Sequence, residues 1–327
     1  MRPASLHQPS ARQRGAAILT AMLTVTLVAT LASAALWQQW RAVEVESAER
    51  TRTQMTWVLT GALDWARLIL REDARTSAVD HLSEPWALPL AEARLSSFLA
   101  VDQNNTDGAM EAFLSGQVTD QQGLLNLANL VEGGEVSGAD YAAFDRLFKQ
   151  LGIPKSQLAR LADQLLLANR PGPPVADAPG VLGPQRLEHL LWLGLPSSSL
   201  QALRPYVTWL PTRTPVNLNT APAQVLSAAL PGVDLRLAQQ MVTQRALTHY
   251  ANVAQALEAA KLRVDQVDVA RLAVASRYFM VHGQLRLGNT VVQEASLVSR
   301  DGTTVTVLWR AREALSSPAG AVAASLQ

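Results

Sequence analysis

The sequence predicts an α+β fold. A long N-terminal helix packs on a small antiparallel sheet, and a large all-helical domain is inserted into that sheet. Three observations lead there. An uncharged run near the start passes, without a proline, into an amphipathic stretch. Strand patterns lie on both sides of a long helical block. The block itself, about 150 residues, suits a domain of its own.

The opening run, GAAILTAMLTVTLVATLASAALW (Gly15–Trp37), holds no charged residue and follows Gln13-Arg14. Residues 16–37 supply about 22 uncharged positions, close to the roughly 20 that a spanning helix needs. Arg2, Arg12 and Arg14 precede them and the next charge is Arg41. The positive-inside bias therefore keeps the N-terminus cytoplasmic and exports the rest. A cleaved secretory signal has a shorter apolar core, roughly 7–15 residues, although Ala32–Leu36 (ASAAL) offers an Ala-x-Ala match. A plain membrane anchor also fits the run taken alone.

Beyond Trp37 the helical pattern continues. Met55, Val58, Leu59, Leu63, Ala66 and Leu70 recur mostly at three and four, while Asp64 with Arg67 and Arg71 with Arg75 mark a solvated face. Both segments together give about 55 helical residues, on the order of 80 Å. Trp37 and Trp40 suit a membrane interface; Trp57 and Trp65 are expected to pack on the globular head.

Pro85 and Pro89 break any helix through Trp86, and the pattern predicts a helix resuming over 91–100. Val101–Gly108 is a turn-rich loop and Glu111–Thr119 a strand. Helices follow over 139–151, over 154–170 with Pro154 in the first turn, over 184–196, and in a short segment from Ser197 capped by serines. Residues 171–184 form a Pro/Gly linker. After the helical block, segments 275–288, 290–300 and 303–312 read as three strands rich in β-branched residues, with Asp301-Gly302 as the last hairpin turn.

The most specific motif is TPVNLNTAPAQVLSAALPGVDLRLAQQMVTQR (Thr214–Arg245). It predicts two helices joined by a tight turn, Pro231-Gly232-Val233-Asp234, with Thr220 as the first N-cap and a further helix over 248–259. This resembles a helix-hairpin-helix, a unit that can hold a DNA phosphate on backbone N–H groups at a helix start. Asp234 stands where the usual turn has a second glycine, and an acid there repels phosphate. Arg236, Arg245, Lys261 and Arg263 are opposed by Asp234, Glu258 and Asp265, so the unit has no basic footprint. A structural hairpin is the expectation; a membrane-anchored periplasmic DNA-binding protein is the alternative.

Composition narrows the classes further. The net charge is +1 and charged residues make up 17%, too little to imply a nucleic-acid or acidic partner. There is no cysteine, which excludes disulfides and thiolate chemistry. His7, His81, His189, His249 and His282 are scattered, and no nucleophile elbow, phosphate loop or dinucleotide glycine run is present. The chain is not expected to be an enzyme.

Arg14-Gly15 followed at once by the apolar run resembles the processing signal of pilins and pseudopilins. RQRGAAIL, VDHLSEPWALPLAEARL, GQVTDQQGLLNLANL, PYVTWLPTRTPVNLNTAPAQVL and SRYFMVHGQLRL, in that order, resemble the K-type minor pseudopilin of the type II protein secretion system over nearly the whole chain. The resemblance implies a pilin-like fold and a division into a cleaved leader (1–15), a transmembrane and assembly helix (16–37), its periplasmic continuation (38–75), a first head part (76–120), the inserted helical domain (121–274) with the hairpin unit (214–260), C-terminal head strands (275–312) and a flexible tail (313–327).

It also implies processing between Gly15 and Ala16 by a prepilin peptidase. The head would lie in the periplasm on a single pass through the inner membrane, in contact with its lipid. The partners would be the I- and J-type minor pseudopilins and the major pseudopilin fibre. The role implied is to cap the pseudopilus tip and promote its assembly for export of folded periplasmic proteins. Pilins usually carry Glu at mature position five; here that position is Thr20, an absence for which the K type is known. Some members bind calcium, which takes several carboxylate and carbonyl oxygens. Where many members have an acidic run, after the helix ending near Leu166, this chain has only Asp163 and Asp177. Asp102, Asp107 and Asp120 are the remaining candidates, and no metal ligand set is assigned.

Overall fold

A computed structural model of the chain describes residues 12–95, 112–169, 183–288 and 290–313. It divides between Val58 and Leu59 into two compact units. Helix α1 (Arg12–Thr76) begins in the first and ends in the second. From residue 16 to residue 50 every position of α1 is exposed. Apolar side chains all round a helix, without periodicity, have no single face to bury.

In the second unit α1 becomes one-sided. Leu59, Leu63, Ala66 and Leu70 are buried, at spacings that keep them on one face. They meet a five-stranded antiparallel sheet of β1 (Leu90–Arg94), β2 (Ala112–Asp120), β9 (Tyr278–Leu287), β10 (Thr290–Asp301) and β11 (Thr304–Glu313), ordered β1-β2-β9-β10-β11. Leu63, Ala66 and Leu70 pack with Trp86, Phe279, Val281, Val298 and Val305. Trp86 meets Phe279 edge to face at 5.1 Å.

Gly116 and Gly283 stand opposite each other in the β2–β9 ladder. A Cβ on Gly283 would lie 3.2 Å from Leu59 Cδ2, and one on Gly116 would lie 2.9 Å from the His282 carbonyl oxygen. The bare backbone at Gly283 lets the helix come close.

Two expectations fail here. Residues 90–94 form edge strand β1 where the expected helix over 91–100 should begin, and only Leu95 of that stretch is described as helical. Pairing with β2 overrides the helical leaning of Ala, Glu and Arg; positions 96–100 lie outside the described residues. Trp65 is 50% exposed and Trp57 72%, so neither is a buried core residue. Trp65 sits two residues from Leu63, about 200° round the helix and away from the sheet.

Between β2 and β9 lies the insertion. It runs through β3 (Leu125–Asn126), β4 (Val131–Glu132), β5 (Glu135–Val136), α2 (Gly138–Gln150), α3 (Lys155–Ala168), α4 (Ser197–Leu203), β6 (Val207–Thr208), β7 (Val216–Asn217), α5 (Ala223–Ala229), α6 (Leu235–Leu247), α7 (Val253–Ala259) and β8 (Leu272–Ala273). Apart from short 3-10 turns and three two-stranded pairs it is helical. Its own core includes Phe144, Phe148, Leu158, Leu226, Met241 and Tyr250.

Within it, the helix expected over 184–196 shrinks to a 3-10 turn, Leu187–Leu191, and Gly194 (φ 82°) then takes a left-handed conformation ahead of Pro196. α4 starts after Pro196 without a serine cap bond. α7 begins at Val253, not 248, because Asn252 accepts from the Gln255 N–H and starts it there. The loop 101–108, nearly all of the linker 171–184 and the tail beyond 313 lie outside the described residues.

Candidate functional site

The N-terminal helix comes first. Gly15 and Ala16, the expected processing pair, lie inside the first turns of α1. From Ala16 the helix has a window with a mean hydropathy of 2.0, long and apolar enough to cross a membrane. Thr20 turns its hydroxyl back onto its own helix, donating to the carbonyls of Ala16 (2.9 Å) and Ala17 (3.0 Å). Thr24, Thr26 and Thr30 do the same, so the four threonine hydroxyls of the uncharged run are satisfied without water. Position 20 therefore offers neither a charge nor an uncommitted donor.

The helical hairpin forms where it was expected, as α5, the turn and α6. Gly232 supplies a positive φ of 79°, Val233 is buried, and Ser227 Oγ donates to the Val233 carbonyl at 2.8 Å. Pro222, not Thr220, stands at the α5 N-cap position. Asp234 caps α6 and accepts from the Leu237 N–H at 2.7 Å. That carboxylate occupies the helix start a phosphate would need. Arg245 is buried and donates to the Leu218 carbonyl at 2.6 Å; burial lowers its pKa to about 10. The hairpin thus spends its acid and one of its arginines on its own structure.

Thr220 has a different role, in a buried polar knot that joins head and insertion. Asp120, at the end of β2, accepts through Oδ2 from Asn217 Nδ2 (3.0 Å), Thr220 Oγ1 (2.6 Å) and Ser276 Oγ (2.6 Å), and through Oδ1 from the Gln122 N–H (2.8 Å). Burial outweighs these donors and raises its pKa to about 6. Beside it, Arg300 of β10 binds Asp73 (2.7 Å), Asp80 (2.6 Å) and the Ser276 carbonyl (3.0 Å). Asp80 also accepts from the Ser276 N–H at 2.6 Å. Desolvation raises the pKa of Asp73 to about 6 and that of Asp80 above the usual carboxylate value, each opposed by Arg300.

Glu84 takes the Trp86 indole N–H (2.8 Å) and the His81 N–H (2.9 Å). His81 stacks on His249 of the insertion at 3.9 Å, and burial lowers its pKa. Asn219 and Tyr250 exchange two bonds, Asn219 Nδ2 to the Tyr250 carbonyl (2.9 Å) and the Tyr250 N–H to Asn219 Oδ1 (2.8 Å).

These contacts also bear on calcium among the described residues. Asp73, Asp80 and Glu84 cluster within 4.8 Å, but Arg300 already supplies their positive charge and Trp86 a further donor. Asp120 is committed to donors from this chain. Asp163 is exposed on α3 with no second carboxylate grouped with it, while Asp102, Asp107 and Asp177 lie outside the described residues. The described donor set does not fit the oxygen-rich shell calcium takes.

Two family models, both described as type II secretion system protein K, match this chain over residues 123–212 and 216–275. Those are the insertion and its hairpin. The chain is 29% identical to type II secretion system protein K of Klebsiella pneumoniae, across 91% of this chain and 96% of the relative. It is 27% identical to the protein of that name from Pseudomonas aeruginosa, across 85% and 86%. The chain is thus similar to type II secretion system protein K over nearly its whole length. The family's fold is matched as well: a chain in the crystal structure of the GspK-GspI-GspJ complex from enterotoxigenic Escherichia coli superposes with a TM-score of 0.64 at 19% identity, over 82% of this chain and 98% of that one.

Set against the family motifs, the knot gives some of them a physical meaning. VDHLSEPW carries Asp80, His81, Glu84 and Trp86, and PVNLNT carries Asn217, Asn219 and Thr220. The partners Arg300 and Asp73 lay in no quoted motif. They stand far apart along the chain, in an ordinary strand and an ordinary helix end, so nothing local marks them.

Proposed function

We propose that this chain is processed between Gly15 and Ala16 and works as a minor pseudopilin, capping the pseudopilus tip together with I- and J-type subunits and promoting its assembly in the inner membrane. The observation that carries this reading is the similarity to protein K relatives along nearly the whole chain, joined to a helix from Ala16 that is uncharged as far as Trp37 and exposed on all faces. A neighbour in fold comes from a complex of K, I and J proteins, which supports the choice of partners. Such a helix needs lipid on every side before assembly and neighbouring helices afterwards.

Thr20 fits an end position. A glutamate in the bilayer is costly and needs a partner, and a subunit with none beneath another has no use for one. Trp65 and Leu68, exposed on the outer face of α1 above the membrane, offer a surface for a neighbouring subunit. The helical hairpin serves as packing for the insertion; the DNA-binding reading gains no support from a turn closed by Asp234 and a buried Arg245.

The test is the N-terminal mass of the protein from cells with and without prepilin peptidase. Loss of residues 1–15 with methylation of Ala16, dependent on that enzyme, is expected, followed by co-purification with I- and J-type subunits. An intact N-terminus, or a cut near Ala35, would defeat the proposal.

A further inference from the structure

A cavity of about 260 Å³ opens in the insertion between α2, the hairpin turn at Pro231 and the segment 266–272. Its walls are mostly apolar, among them Phe144, Val216 and Leu272, yet two guanidinium groups line it, Arg146 and Arg271. Burial and the closeness of Arg271 both lower the pKa of Arg146. Two carboxylates, Asp140 and Asp268, line the same cavity, so what matters is which arginine donors they leave unmet.

Asp140 neutralises Arg271, but the two acids do not reach every donor of the pair. Asp140 has both oxygens engaged: Oδ1 with Arg271, and Oδ2 with Arg213 (3.1 Å) and Ser137 Oγ (2.6 Å). Asp268 accepts from the Ala270 N–H at 3.1 Å. Arg146 donates through Nε to the Ala228 carbonyl at 2.8 Å, and among the described residues no carboxylate pairs with it. Arg271 Nε is buried without any acceptor. A buried guanidinium N–H left in that state is unusual and asks for an oxygen.

We propose that this cavity binds a carboxylate on a small apolar body, about the size of one amino-acid residue, with the carboxylate received by Arg146 and Arg271. The donor fork of arginine matches a carboxylate better than a spherical ion. The volume is below the roughly 300 Å³ at which ordinary ligand pockets begin, which limits the guest to a few heavy atoms. The apolar walls suit a leucine-like side chain. Such a group arrives either as a free small acid or as the C-terminal residue of a polypeptide. This site is independent of the membrane helix and of the assembly reading.

The full-length protein in detergent micelles is titrated with N-acetyl-leucine, its C-terminal amide, and a hexapeptide ending in leucine with a free carboxylate. Saturable binding of the acid, with the amide at least roughly tenfold weaker, is expected from loss of charge-assisted bonds. Arg146→Gln should weaken the acid by a similar factor while the melting temperature holds. If that variant unfolds, Ala229→Leu, which adds bulk to the cavity from α5 and removes neither arginine, should abolish binding instead. Tighter binding of the hexapeptide identifies a chain terminus as the source; equal binding identifies a free acid. Equal affinity for acid and amide, no saturable binding of the acid, or binding unchanged in a folded Arg146→Gln or Ala229→Leu variant overturns the proposal.

Discussion

Residues 16–37 and residues 59–76 belong to one helix, are both rich in leucine and alanine, and behave in opposite ways. The first stretch has every side chain exposed. The second buries Leu59, Leu63, Ala66 and Leu70 and leaves Trp65 and Leu68 half exposed. The difference lies in pattern rather than in composition. Apolar residues without periodicity demand an apolar solvent on all sides, whereas apolar residues at three and four demand a single flat partner, here a sheet made approachable at Gly283.

The sharpest way to break the second region is at its lower end, where Arg300 holds Asp73 and the Leu70 carbonyl. Arg300→Met leaves Asp73 and Asp80 buried without their cation and should cost about 3–5 kcal/mol. Denaturant unfolding of the head reads it; a loss below about 1 kcal/mol would show that the knot is not what fixes the helix end.

Next comes Leu70→Ala, expected to remove about 2–5 kcal/mol through lost burial and a residual cavity. Its matched control is Leu27→Ala, which should leave head stability within about 0.5 kcal/mol of the original, since residue 27 touches no core. Equal effects would erase the comparison.

Gly283→Ala should cost about 1–3 kcal/mol, because Leu59 must give way by a few tenths of an ångström. Its reversal by Leu59→Val in a double-mutant cycle would sharpen the picture of a close helix approach.

The smallest effect is in pH. A carboxyl whose pKa is raised on folding binds its proton more tightly in the folded state, so its contribution to stability is present at low pH and is lost as pH rises through the folded value. For Asp73, with a pKa of about 6, that loss runs between about 4 and 6. Asp73→Asn should flatten the slope of stability against pH in that window, read as melting temperature across a pH series. A slope identical to the parent would remove Asp73 from the account.

Much of this was legible in the residues. The uncharged run, the shift to a one-sided pattern after it, the last three strands and the hairpin with its Pro-Gly turn are local signals, repeated over enough positions to survive averaging. Edge strand β1 was not legible, because Ala, Glu and Arg favour a helix until a neighbouring strand offers hydrogen bonds. Nor was the exposure of Trp57 and Trp65: a tryptophan looks like core material, and only the angle round the helix shows which side it takes. Thr220 reads as a cap because its sequence is that of a cap, yet a buried carboxylate contributed from residue 120 claims its hydroxyl.

By itself, then, the sequence determined the long uncharged helix, most of the helices and strands and the presence of an insertion within a sheet, since these rest on periodicity and punctuation along the chain. Tertiary structure decided which acids are buried, which arginine meets them, and where two guanidinium groups share a cavity. Those outcomes depend on residues separated by dozens to hundreds of positions, and a polar side chain in a strand carries no mark of the partner that folding will bring beside it.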